Sequence, residues 1–364
     1  MWEQLLQCSA SGNVAFCIPW PTFLGGPTLA IYWYGILAAT GIFLGTIYAA
    51  KHVEWEGRDP DVIWDAFFWV LIAALVGARL WYVLQAVIGG TGEYSFAHPL
   101  DIINTRQGGM NIFGGAIFGA IAIIIYARIK KLDVWLLTDA GLMGLLIGQG
   151  IGRIGNFINA ELYGPPTGSS WFGMTIPEGQ RIGIYRDLAT YPLDTRFHPT
   201  MFYEAAWLFL TFGVLFFVFR RYQEKLVHGR LTGVYLMATG VGRFVVEFFR
   251  LDQPKMPGSI FSYSQLVAAL YLVVGLIILL DRMGHFRIPL IARPQNERQR
   301  QQAYQAILED RRKRERAKQR HQERERRRKQ RELIAKEKAE GQPQSAQAQD
   351  KEVEDVEQPV ADNS

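Results

Sequence analysis

The sequence predicts an all-α polytopic membrane protein of about seven transmembrane helices, with a small extracytoplasmic head and a charged cytoplasmic tail. Three observations carry that expectation. Of the 364 residues, 49% are hydrophobic and 13% aromatic, yet residues 291–364 are almost wholly polar, so the preceding part must be very apolar. Those apolar residues fall in seven stretches close to the roughly 18 to 20 residues that a bilayer-spanning helix requires. Lysines and arginines follow every second stretch, which sets an orientation, because short loops rich in them stay in the cytoplasm.

The stretches run from Thr28 to Ala50, Val62 to Leu84, Met110 to Ala127, Val134 to Gly152, Thr200 to Phe219, Leu231 to Phe249 and Tyr263 to Leu280. The third is the weakest, since Asn111 and several glycines interrupt it. Lys51 and Arg58 follow the first, Arg128, Lys130 and Lys131 the third, Arg220, Arg221, Lys225 and Arg230 the fifth, and Arg282 and Arg287 the last. Every odd helix is therefore expected to end inside. The N-terminus and segments 85–109, 153–199 and 250–262 then lie outside, although they contain Arg106, Arg181, Arg186 and Arg196. Within 153–199, the Pro-, Gly- and aromatic-rich residues from about 157 to 198 read as the head.

Met1 to Pro19 lacks a basic stretch followed by a continuous apolar core, so no cleavable signal peptide is expected and the first membrane helix serves as the targeting signal. Cys8 and Cys17 fall in this external segment, where a disulfide is chemically permitted. From Pro294 the composition turns to Arg, Lys, Glu and Gln. Its mixed charges over Glu309 to Lys338 suit a salt-bridged solvated helix, and Gly341 to Ser364 is acidic and disordered in composition. Residues 1–290 and 291–364 thus form a membrane domain and a tail. The net charge of +5 owes much to the tail, which reads as solvated. A sharper alternative is electrostatic contact with anionic lipid or RNA.

Polar residues inside the apolar stretches locate the chemistry. Gly141 to Gly164 begins as a glycine-studded helix and then places Arg153, Asn156, Asn159 and Glu161 where the bilayer still surrounds the chain. A guanidinium at mid-membrane costs roughly 2.5 to 3.5 kcal/mol by insertion measurements, so it faces a bundle interior or a wet cavity unless it snorkels to the headgroups. Gly144, Gly148 and Gly152 recur every fourth residue and read as one close-packing face. Tyr32, Tyr34, Arg79, Arg243, Glu247 and Arg250 fall at the same outer level, with Glu161, Glu204 and Glu247 as the main carboxylates. Arg243 and Glu247, one turn apart, could be only an intrahelical ion pair. A cluster of Arg and Asn at that depth is suited to gripping a phosphate, because a guanidinium offers a planar fork of donors, and a phospholipid headgroup is the obvious occupant. No HExxH, CxxC, Walker or GxSxG pattern occurs, so metal, nucleotide and serine-hydrolase chemistry lack support. His98 and His198 are isolated in sequence.

Gly152 to Gly164, GRIGNFINAELYG, resembles the signature of the bacterial prolipoprotein diacylglyceryl transferases, with similarity extending over most of residues 28–282. Supporting matches are Tyr32 to Gly35, Gly77 to Arg79, Arg106 to Met110, His198 to Glu204 and Arg243 to Arg250. The resemblance implies a multi-pass enzyme of the bacterial cytoplasmic (inner) membrane. It would move the diacylglyceryl group of phosphatidylglycerol onto the lipobox cysteine of a preprolipoprotein, forming a thioether and releasing glycerol phosphate. Its expected partners are phosphatidylglycerol, lipobox-bearing preprolipoproteins and membrane lipids, with no cofactor, metal or nucleic acid. Arg153 and Arg243 are the expected catalytic residues, Arg153 also binding the lipid phosphate. Tyr34, Asn156, Gly164 and Arg79 would bind phosphatidylglycerol, and Asn159, Glu161, Glu204, Glu247 and Arg250 would support them.

The sequence departs from that family's pattern at Phe113, where many members carry a histidine, at Tyr32, where a histidine is common, and at Thr239, where some have tyrosine. A histidine base at position 113 is therefore not part of this chain's chemistry, and the identity of any base is open. Two other function classes fit a membrane protein of this kind. A lipid or anion transporter would use the arginines to line a pathway, but no inverted repeat relates the two halves. A lipid-binding scaffold would dock partners through the basic tail. A diacylglyceryl thioether product separates the enzyme from both.

Overall fold

The computed structural model describes residues 13–18, 29–89, 109–250, 256, 258–285 and 297–340. Cys8, Arg106, Arg287 and the acidic segment 341–364 lie outside the described residues. Among the described residues, seven helices are long and apolar enough to cross a membrane. They are α1 (Trp33–Trp55), α2 (Asp61–Ile88), α3 (Ile112–Ile129), α4 (Val134–Ile158), α5 (Thr200–Tyr222), α6 (Arg230–Val246) and α7 (Tyr263–Met283). Their outward residues are apolar, as with Phe43, Phe68, Leu210 and Leu270, while polar side chains such as Asp139, Glu204 and Gln265 are buried. This inverted arrangement suits a lipid surround.

Several boundaries differ from the hydropathy reading. The first helix starts at Trp33, not Thr28, because strand β2 (Leu29–Tyr32) pairs antiparallel with β1 (Val14–Ile18) and its backbone is already bonded there. Cys17, in β1, is disulfide-bonded. The fourth helix runs to Ile158, past the expected end at Gly152. Arg153 and Asn156 therefore ride on a helix, and the head begins at Asn159. Nothing between residues 153 and 158 breaks a helix, and Asn159 N donates to Gly155 O at 3.1 Å to close its last turn. α3 starts where the Asn111 side chain accepts from Phe113 N at 2.8 Å. Beyond Val246 the chain tightens into a 3-10 turn, Glu247–Phe249. Ser262 and Gln265 form a capping box at the start of α7.

Glycines set the helix pairing. α1 meets α4 where Gly45 faces Gly144 and Gly41 faces Gly148, α2 meets α3 at Gly77 and Gly114, and α6 meets α7 at Gly233 and Gly275. A Cβ at Gly45, Gly144, Gly77, Gly114, Gly233 or Gly275 would come within 3.0 Å of the partner's backbone, and at Gly41 and Gly148 it would meet it tightly at 3.0 and 3.3 Å, so the close approach rests on glycine. Gly152, expected on the same face as Gly144 and Gly148, has nothing within 4 Å of where its Cβ would stand. α5 is seated differently, by large aromatics on glycines: the Phe209 ring covers Gly150 of α4, and the Trp207 indole covers Gly242 of α6 while donating to Ala238 O at 2.8 Å.

One end of the bundle is knotted by polar groups. The buried Asp139 of α4 accepts from Gly229 N and Thr232 N, both at 2.7 Å, and from Thr232 Oγ1 at 2.6 Å, so a carboxylate caps the N-terminus of α6. His228 lies between Asp133 at 2.6 Å and Glu56 at 3.3 Å, and Arg282 Nε donates to its carbonyl at 2.8 Å. Burial disfavours the imidazolium, but hydrogen bonds and charge from Asp133 and Glu56 outweigh it and push His228 up to about 9.

The head carries a two-stranded antiparallel sheet, β3 (Met174–Thr175) with β4 (Arg196–Phe197), over a core of Ala160, Tyr163, Ile176, Phe197 and Met201. Arg181 is fully buried at its centre and donates to the carbonyls of Ile176, Tyr185, Tyr191 and Pro192.

The chain divides into two compact units, 1–299 and 300–364. The tail helix α8 (Glu297–Glu340) shows ion pairs four residues apart, Arg314 with Asp310, Arg327 with Glu323 and Arg328 with Glu332.

Candidate functional site

At the end of the bundle opposite the His228 knot, α4, α5 and α6 bring four charged side chains into one chain of contacts. Asp139 and Arg153 both lie on α4, about 21 Å apart at 1.5 Å per residue. Because Phe209 and Trp207 wedge α5 between α4 and α6, Glu204 one turn earlier projects between Arg153 and Arg243. Its Oε2 pairs with Arg153 Nε, and its Oε1 accepts from Arg243 Nη1 at 2.9 Å. Arg243 Nη2 then faces Glu247 Oε2 across 3.2 Å. Arg243 and Glu247 are therefore more than an intrahelical pair, since Glu204 couples them to α4.

The pairing leaves particular donors available. Arg153 uses Nε for Glu204, and its Nη1 reaches Asn156 Oδ1 only at 3.4 Å, so its outer fork carries little load. Arg243 has both Nη atoms on carboxylates. The two arginine side chains keep 26% and 27% of their surface, against 9% for Glu204 and 2% for Glu247. The arginine side chains are thus half-buried, and the carboxylates that aim them lie deeper. Paired in this way, the cluster is close to neutral, so the expected excess of cations at this depth is offset by Glu204 and Glu247.

Asn156 Nδ2 donates to Glu161 Oε1 at 2.7 Å, and Asn159 Nδ2 reaches the same oxygen at 3.2 Å. Glu161 folds back onto α4 because Ala160 and Leu162 both adopt positive φ, 49° and 62°. Such conformations cost an L-residue roughly 1 to 3 kcal/mol and cluster where geometry is functional. Asn159 Oδ1 is buried with no hydrogen-bond partner among the described residues. The Tyr34 ring lies on Gly155, within 2.8 Å of where a Cβ would stand, so a larger residue there would displace it from the Arg153 turn.

The other expected site residues make contacts of their own. Arg79 is buried on α2 and donates from Nη1 to Gly109 O at 2.9 Å, in the α2–α3 pair. Gly164 is tightly packed: a Cβ there would meet Phe249 O at 2.7 Å and His198 Cβ at 2.9 Å, and its N–H donates to His198 O at 2.8 Å. Arg250 follows the 3-10 turn, its N–H donating to Glu247 O at 3.1 Å. Phe113 opens α3, half-exposed. Sequence reasoning missed Ser262, whose Oγ donates to Glu247 Oε1 at 2.7 Å. Its Ser-x-x-Gln spacing marks a helix start, but no local signal places that hydroxyl beside Glu247.

Residues 21–280 match the family model described as prolipoprotein diacylglyceryl transferase. The chain is also similar to proteins named phosphatidylglycerol–prolipoprotein diacylglyceryl transferase. The one from Chloroflexus aggregans is 32% identical over 75% of this chain and 92% of its own length. Those from Synechococcus elongatus and Bacillus cytotoxicus are each 34% identical, covering 77% and 67% of this chain and 93% and 87% of theirs.

Proposed function

The chain belongs to the prolipoprotein diacylglyceryl transferase family, and we propose that its Arg153–Glu204–Arg243–Glu247 chain is the element that performs the transfer. The protein is a multi-pass membrane transferase that moves the diacylglyceryl group of phosphatidylglycerol to the lipobox cysteine of a prolipoprotein. The sulfur attacks the glyceryl carbon, a carbon–sulfur bond forms, the carbon–oxygen bond to phosphate breaks, and glycerol phosphate leaves with the electron pair.

Two charge problems follow. The thiol, with an ordinary pKa near 8.5, reacts as thiolate, and negative charge builds on the departing phosphate oxygen. Arg153 holds the lipid phosphate with its outer nitrogens, which Glu204 leaves unloaded by taking Nε. Arg243, aimed by Glu204 and Glu247, meets the leaving oxygen or the thiolate. Fixed donors of this kind stabilise developing charge without reorganising during the step. Asn156 and Tyr34 orient the headgroup, and Glu161 with Asn159 holds Asn156. The proposed orientation puts this end outside, with the C-terminus in the cytoplasm, and the lysine and arginine distribution supports it. Residues 1–290 would then be the catalytic domain in the cytoplasmic membrane, and 291–364 a cytosolic tail.

The carrying observation is that one buried carboxylate, Glu204, holds both half-buried arginines. The test is to incubate purified protein with phosphatidylglycerol and a lipobox peptide and to weigh the product. Wild type should yield the diacylglyceryl thioether, and Arg153→Gln and Arg243→Gln should yield none when compared at equal amounts of folded, inserted protein. Lysine should rescue either position poorly, because an ammonium lacks the planar fork. Near-normal turnover in a Gln variant would remove that arginine from the mechanism.

A further inference from the structure

We propose that Ser262, the N-cap of the last membrane helix, is a positioning residue for the transfer: it fixes the carboxylate of Glu247 and, through it, the guanidinium of Arg243. The inference rests on the role given to Arg243 above. Glu247 lies in a 3-10 turn where the α6 backbone tightens, and its side chain is almost wholly buried. A buried carboxylate needs donors for both oxygens. Oε1 receives the Ser262 hydroxyl at 2.7 Å, while Oε2 has no hydrogen-bond partner among the described residues and faces Arg243 Nη2 at 3.2 Å. The hydroxyl therefore determines how the carboxylate is turned, and so which oxygen is presented to the arginine.

Ser262 is itself held from two sides. Its Oγ accepts from Gln265 N at 3.1 Å and its N–H donates to Gln265 Oε1 at 2.9 Å. Gln265 Nε2 in turn reaches Phe244 O on α6 at 3.4 Å. Because Oγ accepts from the helix, its single proton is left for Glu247. A serine chosen only to cap α7 could equally be aspartate or asparagine, which cap as well. A serine that must also donate to a carboxylate could not be aspartate, which has no proton to give. The cap of α7 and the aim of Arg243 thus share one side chain.

That distinction sets the experiment. Ser262→Thr, Ser262→Ala, Ser262→Asp and Gln265→Ala are compared with wild type for kcat, for KM toward phosphatidylglycerol and for thermal stability. Thr keeps both functions and should retain activity within about threefold. Ala loses the donor and the cap. Asp keeps the cap and replaces the donor with a like charge. Both should lower kcat by about 10- to 100-fold, the scale of a misplaced catalytic group, with KM changed much less. Gln265→Ala removes the side-chain half of the capping box but keeps the backbone N–H that Ser262 Oγ accepts from, so it should lower thermal stability while leaving kcat within about threefold of wild type. Full kcat in Ser262→Asp would overturn the inference. So would activity that merely follows thermal stability across the four variants. An inactive Arg243→Gln beside a fully active Ser262→Asp overturns this inference alone, whereas a fully active Arg243→Gln overturns the role of Arg243 and this inference with it.

Discussion

Glu204 stands between two guanidinium groups, and removing it leaves them facing each other. Breaking a buried pair from one side costs on the order of 3 to 5 kcal/mol, because the remaining charge is stranded. Glu204→Ala should therefore lower thermal stability markedly and cut transfer more than the loss of Asn159 does, as read by melting temperature and product mass. Unchanged stability would mean that water, not Glu204, compensates the arginines. Phe113 concerns the missing base. A thiol is partly ionised near neutral pH and intrinsically nucleophilic, so Phe113→His should change turnover less than about tenfold, a barrier change below about 1.4 kcal/mol. A hundredfold gain with a new inflection near pH 6.5, the ordinary histidine value, would show that a base at this position matters. Arg153, Asn156 and Glu161 were legible because they sit together in one motif inside an apolar stretch. The partner that each arginine takes was not, because Glu204 and Ser262 lie on other helices and only packing brings them in.

Helix α4 shows how much of an element the sequence discloses. The four-residue spacing of Gly144, Gly148 and Gly152 marks a close face, and the first two indeed meet Gly45 and Gly41. One turn further α1 carries Leu37 rather than a glycine and nothing stands within 4 Å of a Cβ at Gly152, although the two helices meet again where Tyr34 lies on Gly155. Gly144→Ala and Gly45→Ala should each cost roughly 1 to 3 kcal/mol, since the backbones must separate. Gly152→Ala should be neutral or gain up to about 1 kcal/mol from helix propensity. Thermal unfolding of the three variants decides, and equal losses would put a partner against Gly152. Hydropathy ended α4 at Gly152 because it scores side chains, whereas the helix continues on backbone hydrogen bonds that Arg153 and Asn156 do not interrupt.

At the scale of the whole molecule, the seven helices were readable from hydropathy, while the order in which they pack was not. The His228 knot supplies a pH prediction. Its imidazolium is favoured in the folded protein, so the stabilisation is fully present below the ordinary value near 6.5 and is lost as pH rises through about 9. Melting temperature should fall across that window, and His228→Gln should flatten the fall. The orientation is checked with an impermeant maleimide in intact cells. Cysteines at the exposed Trp171 and Ile184 should label, and cysteines at Lys130 and Lys225 should not. The fully buried Arg181 makes a poor reporter, despite its place in a polar loop. Six of the seven membrane helices belong to the three glycine-tight pairs. At the Gly45–Gly144 contact a defect introduced on one helix cannot be cured by trimming the other, because the clash is with backbone and the facing residue already has no side chain to remove. A genetic search for suppressors of Gly45→Ala should therefore return no change at residue 144, and any rescue should map to positions that let the two helices stand further apart.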